Sequence, residues 1–395
     1  MGDLGIRSAQ IRPYRLTFSK AAAARYGPFR HGRLVGLTSD SGVTGWGDAA
    51  PLPGFSLDTV EDIDRSWPHV TKHLSHLCRL SRLSRLNHLS QVSHFNYLNR
   101  LAGDRNNRND VFDRLPPALV FALEQALLSV EAQIRNRHPP AVISSEYRRR
   151  IGINGLLDCS PEEACQKVRA LIQAGCSCIK LKVGHWPALT GASAIRELRR
   201  SVGPGVELRL DANCAWSLDA AIRFLDGLAE SDVAYIEEPL ADSSDLGSLA
   251  SQTSVALALD ESLAKIEPGG LADWSFAGCV IVKPTILGGI RRSLELAHEA
   301  STLGMTAVIS SSFESGLGTL WLVALCASPV FDRTAGLDTG RYLVSDILYP
   351  RLQLGFNPDV AITARALEPL DRDASNVSDA SDTPGASDAS GASDA

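Results

Sequence analysis

From about residue 150 onward, short apolar runs alternate with longer segments of helical periodicity, and this rhythm constrains the fold more than any other feature. Strands joined by crossover helices lie parallel in one sheet, and eight of them can close a β/α barrel. The chain is therefore predicted to contain an α/β barrel of the TIM type. The predicted strands lie in IGINGLL, CIKLKVG, VELRLDAN, VAYIEEPL, VALALDESL, GCVIVKPT, TAVISSSFES and RTAGLDTG, and the predicted helices include 161–174, 190–200, 218–229, 289–303 and 316–327.

The second of these runs, CIKLKVG, alternates apolar residues with two lysines. Side chains two residues apart lie on the same face of a strand. Both faces of a parallel barrel strand are buried, because helices cover the outside and side chains fill the inside. We therefore expect Ile179 and Leu181 to pack under the helices, and Lys180 and Lys182 to point into the barrel.

Charged or amide side chains end five consecutive predicted strands, where β/α barrels carry their active sites. Carboxylates from three adjacent strands would repel one another unless a cation neutralised them. All-oxygen ligands favour a hard dication, most simply Mg²⁺. Ordinary salt bridges of a packed barrel are the alternative, but charges on five successive strand ends favour a metal site. The residues are Lys180, Lys182, Asp211, Asn213, Glu237, Glu238, Asp260, Glu261 and Lys283.

We expect Asp211, Glu237 and Asp260 to be the metal ligands. Alternation alone leaves open which glutamate of the fourth strand, and which acid of the fifth, faces inward. Lys182 and Lys283 would then face each other across the metal. A lysine near a dication and other ammonium groups has a lowered pKa, so it can act as a base near neutral pH. A metal that stabilises an enolate, with a lysine base beside it, is the arrangement for abstracting a proton α to a carboxylate.

The motifs KLKVG, LRLDANCAW, IEEPL, LDES, VIVKP and AVISSSFESGLG resemble the successive barrel-strand motifs of the enolase superfamily, in its muconate-cycloisomerase-like branch. The resemblance covers nearly the whole chain except about 70–112 and the tail. It implies a (β/α)7β barrel over 149–345 and an α+β capping domain over 1–148. It also implies that a C-terminal segment, 346–370, packs back on the capping domain.

The same resemblance implies roles for the site residues. Mg²⁺ would bind Asp211, Glu237 and Asp260, with Asn213 and Glu261 beside these ligands. Lys182 would be the base and then the acid, Lys283 would stabilise an enediolate, and Lys180 would support Lys182 and lower its pKa. Arg209 would pair either with an anionic group or with a structural partner in the barrel. Substrate contacts are expected from Ser311, Ser312, Gly340, Pro53 and Phe55, the last two in a loop that closes over the substrate.

Within that branch, the loops GWGDAAPLPGFS and ISSSFESGLG resemble those of a dehydratase of menaquinone biosynthesis. The expected reaction removes water from 2-succinyl-6-hydroxycyclohexa-2,4-diene-1-carboxylate and forms an aromatic ring. An N-acylamino-acid racemase or a dipeptide epimerase is the first alternative. The eighth strand, GLDTG, carries one aspartate rather than the acidic pair expected of dipeptide epimerases. A lactonising cycloisomerase and a non-catalytic scaffold are the others.

Composition and net charge limit the classes of binding partner that we expect. The chain has 395 residues and a net charge of −6, which argues against nucleic acids and anionic membranes and leaves a small-molecule carboxylate as the expected partner. We find no secretory signal and no long apolar run, and none of the eight cysteines forms a CxxC pair. A cytoplasmic protein with reduced thiols is therefore expected.

Two segments do not fit the barrel pattern. Leucines recur at every third position from 74 to 89, which makes a poor core stripe for an α-helix and indicates a biased insertion over about 70–112. His69, His73 and His76 could share one helix face and bind a transition metal, but a solvated polar face explains them better. The tail, 371–395, consists mostly of Asp, Ser and Ala and is predicted to be disordered.

Overall fold

The computed structural model describes residues 5–73 and 115–360. An antiparallel sheet comes first, with the strand order β1 (Ile6–Thr17), β2 (Phe29–Ser39) and β3 (Thr44–Ala49). The short helix α1 (Lys20–Tyr26) connects β1 to β2, and β2 and β3 form an antiparallel hairpin. His76, most of the predicted insertion and the predicted disordered tail lie outside the described residues.

Three helices follow the sheet: α2 (Val60–Lys72), α3 (Pro117–Ile134) and α4 (Pro139–Ile143). The helix α3 packs on β3 at Gly45 and Gly47. A Cβ atom at Gly45 would lie 2.1 Å from the carbonyl oxygen of Ala126, and one at Gly47 would lie 1.9 Å from that of Ala122. Only glycine allows the helix to approach this closely. By length and composition α3 could cross a membrane, but most of it is buried within the protein, as is usual for a core helix.

A second, parallel sheet has seven strands that follow one another in sequence order. Ala335 and Gly336 close it, because they form parallel bridges to Ile153 on one side and Ser310 on the other. The predicted (β/α)7β barrel with an additional α+β region is thus confirmed. Its strands are β4 (Gly155–Asp158), β5 (Cys178–Lys182), β6 (Glu207–Asp211), β7 (Tyr235–Glu237), β8 (Leu257–Leu259), β9 (Cys279–Val282) and β10 (Thr306–Ile309).

The barrel helices agree with the predicted segments, with differences in length. They are α5 (Pro161–Gln173), α6 (Ala188–Val202), α7 (Leu218–Leu225), α8 (Leu246–Ala250), α9 (Pro284–Leu287), α10 (Gly289–Thr302) and α11 (Gly316–Cys326). Between β8 and β9 two 3-10 helices, Leu263–Lys265 and Leu271–Trp274, take the place of a crossover α-helix.

Two carboxylates from the N-terminal part contact the N-termini of barrel helices. Asp48, at the end of β3, accepts hydrogen bonds from the main-chain N and from Oγ of Ser315, at 2.9 and 2.7 Å, and Ser315 is the N-cap of α11. Glu124 of α3 accepts hydrogen bonds from the main-chain N of Ile290 and of Arg291, in the first turn of α10. These contacts attach the N-terminal part to the helices that follow the last two parallel strands.

The C-terminal segment, as far as residue 360, runs along the start of the barrel. Main-chain hydrogen bonds join Ile153 to Phe356 and Val360 to Arg149, each at 2.9 Å. The domain boundaries given above remain our proposal.

Candidate active site

The register of the parallel sheet brings the predicted site residues to one level. Lys182 pairs with Asp211, and Asp211 in turn pairs with Glu237 on the next strand. Ile179 and Leu181 are fully buried, and Lys180, on the alternate face, is 8% exposed. The strand CIKLK is therefore buried on both faces, as predicted, and its lysines face the carboxylates.

A continuous network of ion pairs joins these side chains. Lys180 Nζ lies 2.7 Å from Oδ2 of Asp211 and also contacts Oε2 of Glu237. Lys182 Nζ donates to the same Asp211 oxygen at 2.7 Å, and to Oδ1 of Asn213 at 2.5 Å. The strands β5, β6 and β7 thus converge on a single group of charges inside the barrel.

Lys283 forms a second pair across the site. Its Nζ donates to Oδ2 of Asp260 at 2.5 Å. Lys182 and Lys283 both line the same cavity, and their strands are separated by β6, β7 and β8. The predicted arrangement, with one lysine on either side of the carboxylates, is therefore present.

The structure also resolves which acid of each pair faces the lysines. Glu238, which has a positive φ of 34°, turns away and accepts hydrogen bonds from the main-chain N of Asp260 and of Ser262, at 2.8 and 2.7 Å. Glu261 contacts Asn213, whose Nδ2 donates to it at 3.3 Å. Glu237 and Asp260 are consequently the acids that face inward.

The donor set of Asp211, Glu237 and Asp260 fits a hard dication, because all its ligand atoms are carboxylate oxygens and the side chains are buried. Oε2 of Glu261, beside them, is buried and has no hydrogen-bond partner among the described residues. Cys214, Glu238 and Glu261 form a further group with potential ligand atoms within 4.8 Å of one another. Hydrogen bonds from the neighbouring main chain already occupy Glu238, so the inward-facing set fits a metal better.

Burial and pairing act in opposite directions on the titration of this network. Burial alone lowers the pKa of Lys180, but Asp211 and Glu237 outweigh it, so the pKa is raised. The same balance, with Asp260 as the partner, raises the pKa of Lys283. The expected lowering of lysine pKa values therefore requires a dication that competes with the ammonium groups for the carboxylates.

Asp211 and Glu237 respond differently to burial. Burial tends to raise the pKa of Asp211, but its two lysine partners hold it well below the usual value. Burial raises the pKa of Glu237, whose one ammonium partner among the described residues is Lys180 and which lies near two other acids. The unequal sharing of ammonium groups explains the difference.

A cavity of about 260 Å³ opens beside the lysines. Its wall is aromatic: the Tyr26 ring lies 5.0 Å from that of Phe313 and 6.1 Å from that of Phe55, measured between centroids. Asn154 also lines it, and Oδ1 of Asn154 is buried without a hydrogen-bond partner in the described part of the chain. Sequence reasoning missed Arg25, Tyr26, Asn154, Phe313, Thr339 and Tyr342, all of which line the cavity.

Some of the predicted substrate contacts line the cavity and others do not. Ser311, Ser312 and Phe55 line it, whereas Pro53 and Gly340 lie outside its lining. After the closing bridge, the chain forms a 3-10 helix, Asp338–Tyr342. Because residues three apart share a face of such a helix, Thr339 and Tyr342 point into the cavity, and Gly340 lies on another side. Pro53 is exposed at the tip of its loop.

Arg209 has a structural partner rather than an open anion site. Its Nε donates to Oε1 of Glu207 at 2.6 Å, and its Nη1 donates to the carbonyl oxygen of Thr334 at 2.7 Å. The guanidinium also lies 5.2 Å from the ring centroid of Tyr235. Arg209 does not line the cavity, so the structure favours the second of the two predicted roles.

Comparison with known proteins agrees with this fold. Residues 163–350 match the family model described as enolase C-terminal domain-like. The chain is 28% identical over 351 residues to o-succinylbenzoate synthase of Pectobacterium atrosepticum. The aligned region covers 87% of this chain and 90% of the relative. The barrel of this chain therefore belongs to the enolase C-terminal domain-like family.

Solved structures show the same likeness. MenC from Desulfotalea psychrophila is 25% identical, with a TM-score of 0.72 and coverage of 90% of this chain and 99% of that chain. A dipeptide epimerase from Enterococcus faecalis, solved with Mg and the dipeptide L-Leu-L-Tyr, has a TM-score of 0.72 at 19% identity, with coverage of 92% and 99%. At that identity the epimerase shows the shared fold alone.

Proposed function

We propose that the protein is a Mg²⁺-dependent o-succinylbenzoate synthase of menaquinone biosynthesis. It would dehydrate 2-succinyl-6-hydroxycyclohexa-2,4-diene-1-carboxylate to o-succinylbenzoate. The observation that carries the proposal is the pair of lysines, Lys182 and Lys283, on either side of three buried carboxylates and facing an aromatic cavity. The identity with the Pectobacterium enzyme over most of both chains supports this reaction.

Asp211, Glu237 and Asp260 would hold the metal. When bound there, Mg²⁺ neutralises the carboxylates, favours the neutral form of the neighbouring lysines and stabilises negative charge on a substrate carboxylate. Lys182 would lose Asp211 as its partner and keep Asn213, whose side-chain oxygen is 2.5 Å away. Asn213 would therefore orient the amine toward the substrate.

Proton transfer would be carried out by the lysines. Lys182 takes the proton from C1, which is α to the ring carboxylate, and Nζ of Lys283 donates a hydrogen bond to the resulting enediolate. The C6–O bond then breaks as the C1–C6 double bond forms. The proton held by Lys182 leaves with the hydroxide as water, and the ring becomes aromatic.

The cavity suits a cyclic dicarboxylate. Tyr26, Phe55 and Phe313 provide apolar contact for a ring, and Arg25 lines the same cavity. Arg25 has no carboxylate at ion-pair distance within 5–73 or 115–360, unlike the three lysines. We infer that Arg25 binds the carboxylate of the succinyl arm, because its guanidinium, which lies over the rings of Tyr26 and Phe55, is a natural partner of such a group.

An N-acylamino-acid racemase is the second candidate, because lysines on both sides of a carbon atom could also remove and return a proton. A dipeptide epimerase is less well supported. Asp338, the single acid of the GLDTG run, accepts a hydrogen bond from the main-chain N of Leu156 at 2.9 Å and pairs with Arg341 at 3.3 Å. It is therefore already engaged and is poorly suited to bind a substrate ammonium group.

A direct ultraviolet assay of o-succinylbenzoate formation tests the proposal, with purified protein, Mg²⁺ and a chelator control. Formation of product that depends on Mg²⁺ would support it. Absence of product, together with racemisation of N-acylamino acids, would identify the second candidate. A non-catalytic scaffold would also fail to exchange deuterium from solvent into a substrate analogue.

A further inference from the structure

Arg30 lies at the junction between two loops that border the cavity. It is on β2, its side chain is 1% exposed, and its guanidinium contacts main-chain carbonyl groups from both loops. Nη1 donates to the carbonyl of Pro51 at 2.6 Å, and Nη2 also contacts that of Ala50. Nε donates to the carbonyl of Phe313 at 3.0 Å, and Nη2 donates to that of Ser312 at 3.2 Å.

The two loops carry side chains on different parts of the cavity wall. The first loop, 50–56, places the Phe55 ring 5.7 Å from Nζ of Lys283. The second loop, 310–315, supplies Ser311 and Phe313 to the wall. The ring of Tyr26 lies against Phe55 and Phe313 together. The loops therefore meet around the same space, although they are far apart in sequence.

The contacts of Arg30 are unusual for a buried charge, because its hydrogen bonds go to carbonyl groups. Asp48 and Glu314 balance its charge at longer range: burial raises the pKa of each carboxyl, and the charge of Arg30 offsets part of that rise. A planar guanidinium with five donors can bind several carbonyl groups at once, which an ammonium group cannot do. The geometry thus favours a role in which Arg30 contacts both loops at the same time.

We propose that Arg30 is a positioning residue that holds loops 50–56 and 310–315 as a single unit over the cavity. This unit sets the position of Phe55 above Lys283 and limits the entry of water. In its kinetic part the inference rests on the proposed function, because closure matters only when substrate is bound. In its structural part it concerns the two loops alone.

Hydrogen exchange measured by mass spectrometry tests the structural part without substrate. The main-chain N of Phe55 and of Ser56 donate to the carbonyl of Leu52, and that of Ser312 donates to Glu314, so both loops contain hydrogen-bonded amides. Arg30→Met and Arg30→Lys should increase exchange in both loops together by at least about tenfold, the factor expected when a hydrogen bond to a charged group is lost. Strand β6 should keep its protection.

Arg33→Met is the matched control. Arg33 lies on the same strand, but its guanidinium pairs with Asp64 at 2.6 Å, away from the cavity. This variant should leave exchange in both loops unchanged. Unchanged exchange in both Arg30 variants, or an increase in one loop alone, would overturn the proposal. If Arg30→Met does not fold, Arg30→Lys, which keeps the charge, provides the same test.

The kinetic part is measured on the same proteins. The Arg30 variants should raise KM more than they lower kcat and should leave Mg²⁺ affinity unchanged, with partial rescue in Arg30→Lys. A fall in kcat with KM unchanged would contradict a role of Arg30 in closing the cavity. If the parent protein forms no o-succinylbenzoate, the proposed function fails, but the exchange result still decides whether Arg30 joins the loops.

Discussion

The ammonium groups of Lys180 and Lys182 lie at the same distance, 2.7 Å, from one oxygen atom, Oδ2 of Asp211. Their side chains differ in what else they contact. Lys180 also binds Glu237, whereas Lys182 binds Asn213 and is the more exposed of the two, at 20% against 10% of the side chain. Lys182 therefore has the access to substrate that a base requires, and Lys180 is surrounded by carboxylates.

Replacement of Lys182 should remove the base. We expect Lys182→Ala to lower kcat for dehydration by roughly 10²- to 10⁴-fold, the usual contribution of a general base. Steady-state rates at saturating substrate and Mg²⁺ measure the effect. Lys167→Ala is the control, because Lys167 pairs with Glu163 on a surface helix at 3.3 Å. Full dehydratase activity in Lys182→Ala would rule out this residue as the base.

Removal of the metal or of a ligand should abolish activity. A chelator should inactivate the protein, and added Mg²⁺ should restore it. Asp260→Asn should weaken Mg²⁺ binding, measured by titration calorimetry, by more than the roughly 10- to 100-fold loss seen when a residue that supports a ligand is changed. Asp273→Asn, at an exposed position, should bind Mg²⁺ as the parent does. Equal affinities in the two variants would exclude Asp260 as a ligand.

Arg25 should determine affinity for the second carboxylate of the substrate. Arg25→Met should raise KM by about tenfold or more, because a charge-assisted hydrogen bond is lost, with a smaller effect on kcat. Lys20→Met, on the same helix but outside the cavity wall, is the control. An unchanged KM for the succinyl substrate would mean that another group binds this carboxylate.

Glu124 should make stability depend on pH. Burial raises its pKa from 4.5 to about 7, although Arg291 and two main-chain N–H groups oppose this effect. Since the folded state binds this proton more tightly than the unfolded chain, its contribution to stability falls as pH rises from about 4.5 to about 7. Glu124→Gln removes the titration. Relative to the parent, its free energy of unfolding should therefore rise over this interval, by on the order of 1–3 kcal/mol.

Urea denaturation at pH 5 and pH 8 measures this difference. Glu197→Gln, on an exposed position of α6, should follow the parent at both pH values. A Glu124→Gln variant whose stability stayed parallel to that of the parent would show that Glu124 does not titrate in this range.

The barrel and the inward lysines could be predicted because burial and alternation act locally along each strand. The choice between Glu237 and Glu238 could not, because Glu238 leaves the strand with a positive φ, and alternation does not foresee such a turn. Arg25 and Arg30 could not be recognised either. Their roles depend on packing between distant segments, as in the contact between Arg30 and Phe313, which are 283 positions apart.

The contacts of Asp48 and Glu124 with the helices α11 and α10 bear on how this protein could be re-engineered. Exchanging the first 148 residues for those of a relative would transplant new specificity loops, but it would also replace both carboxylates. A chimaera should assemble only if the donor supplies acids at both places, or if Ser315 and the start of α10 are exchanged with them. The N-terminal residues that line the cavity and the two carboxylates that contact the barrel helices would thus be exchanged together.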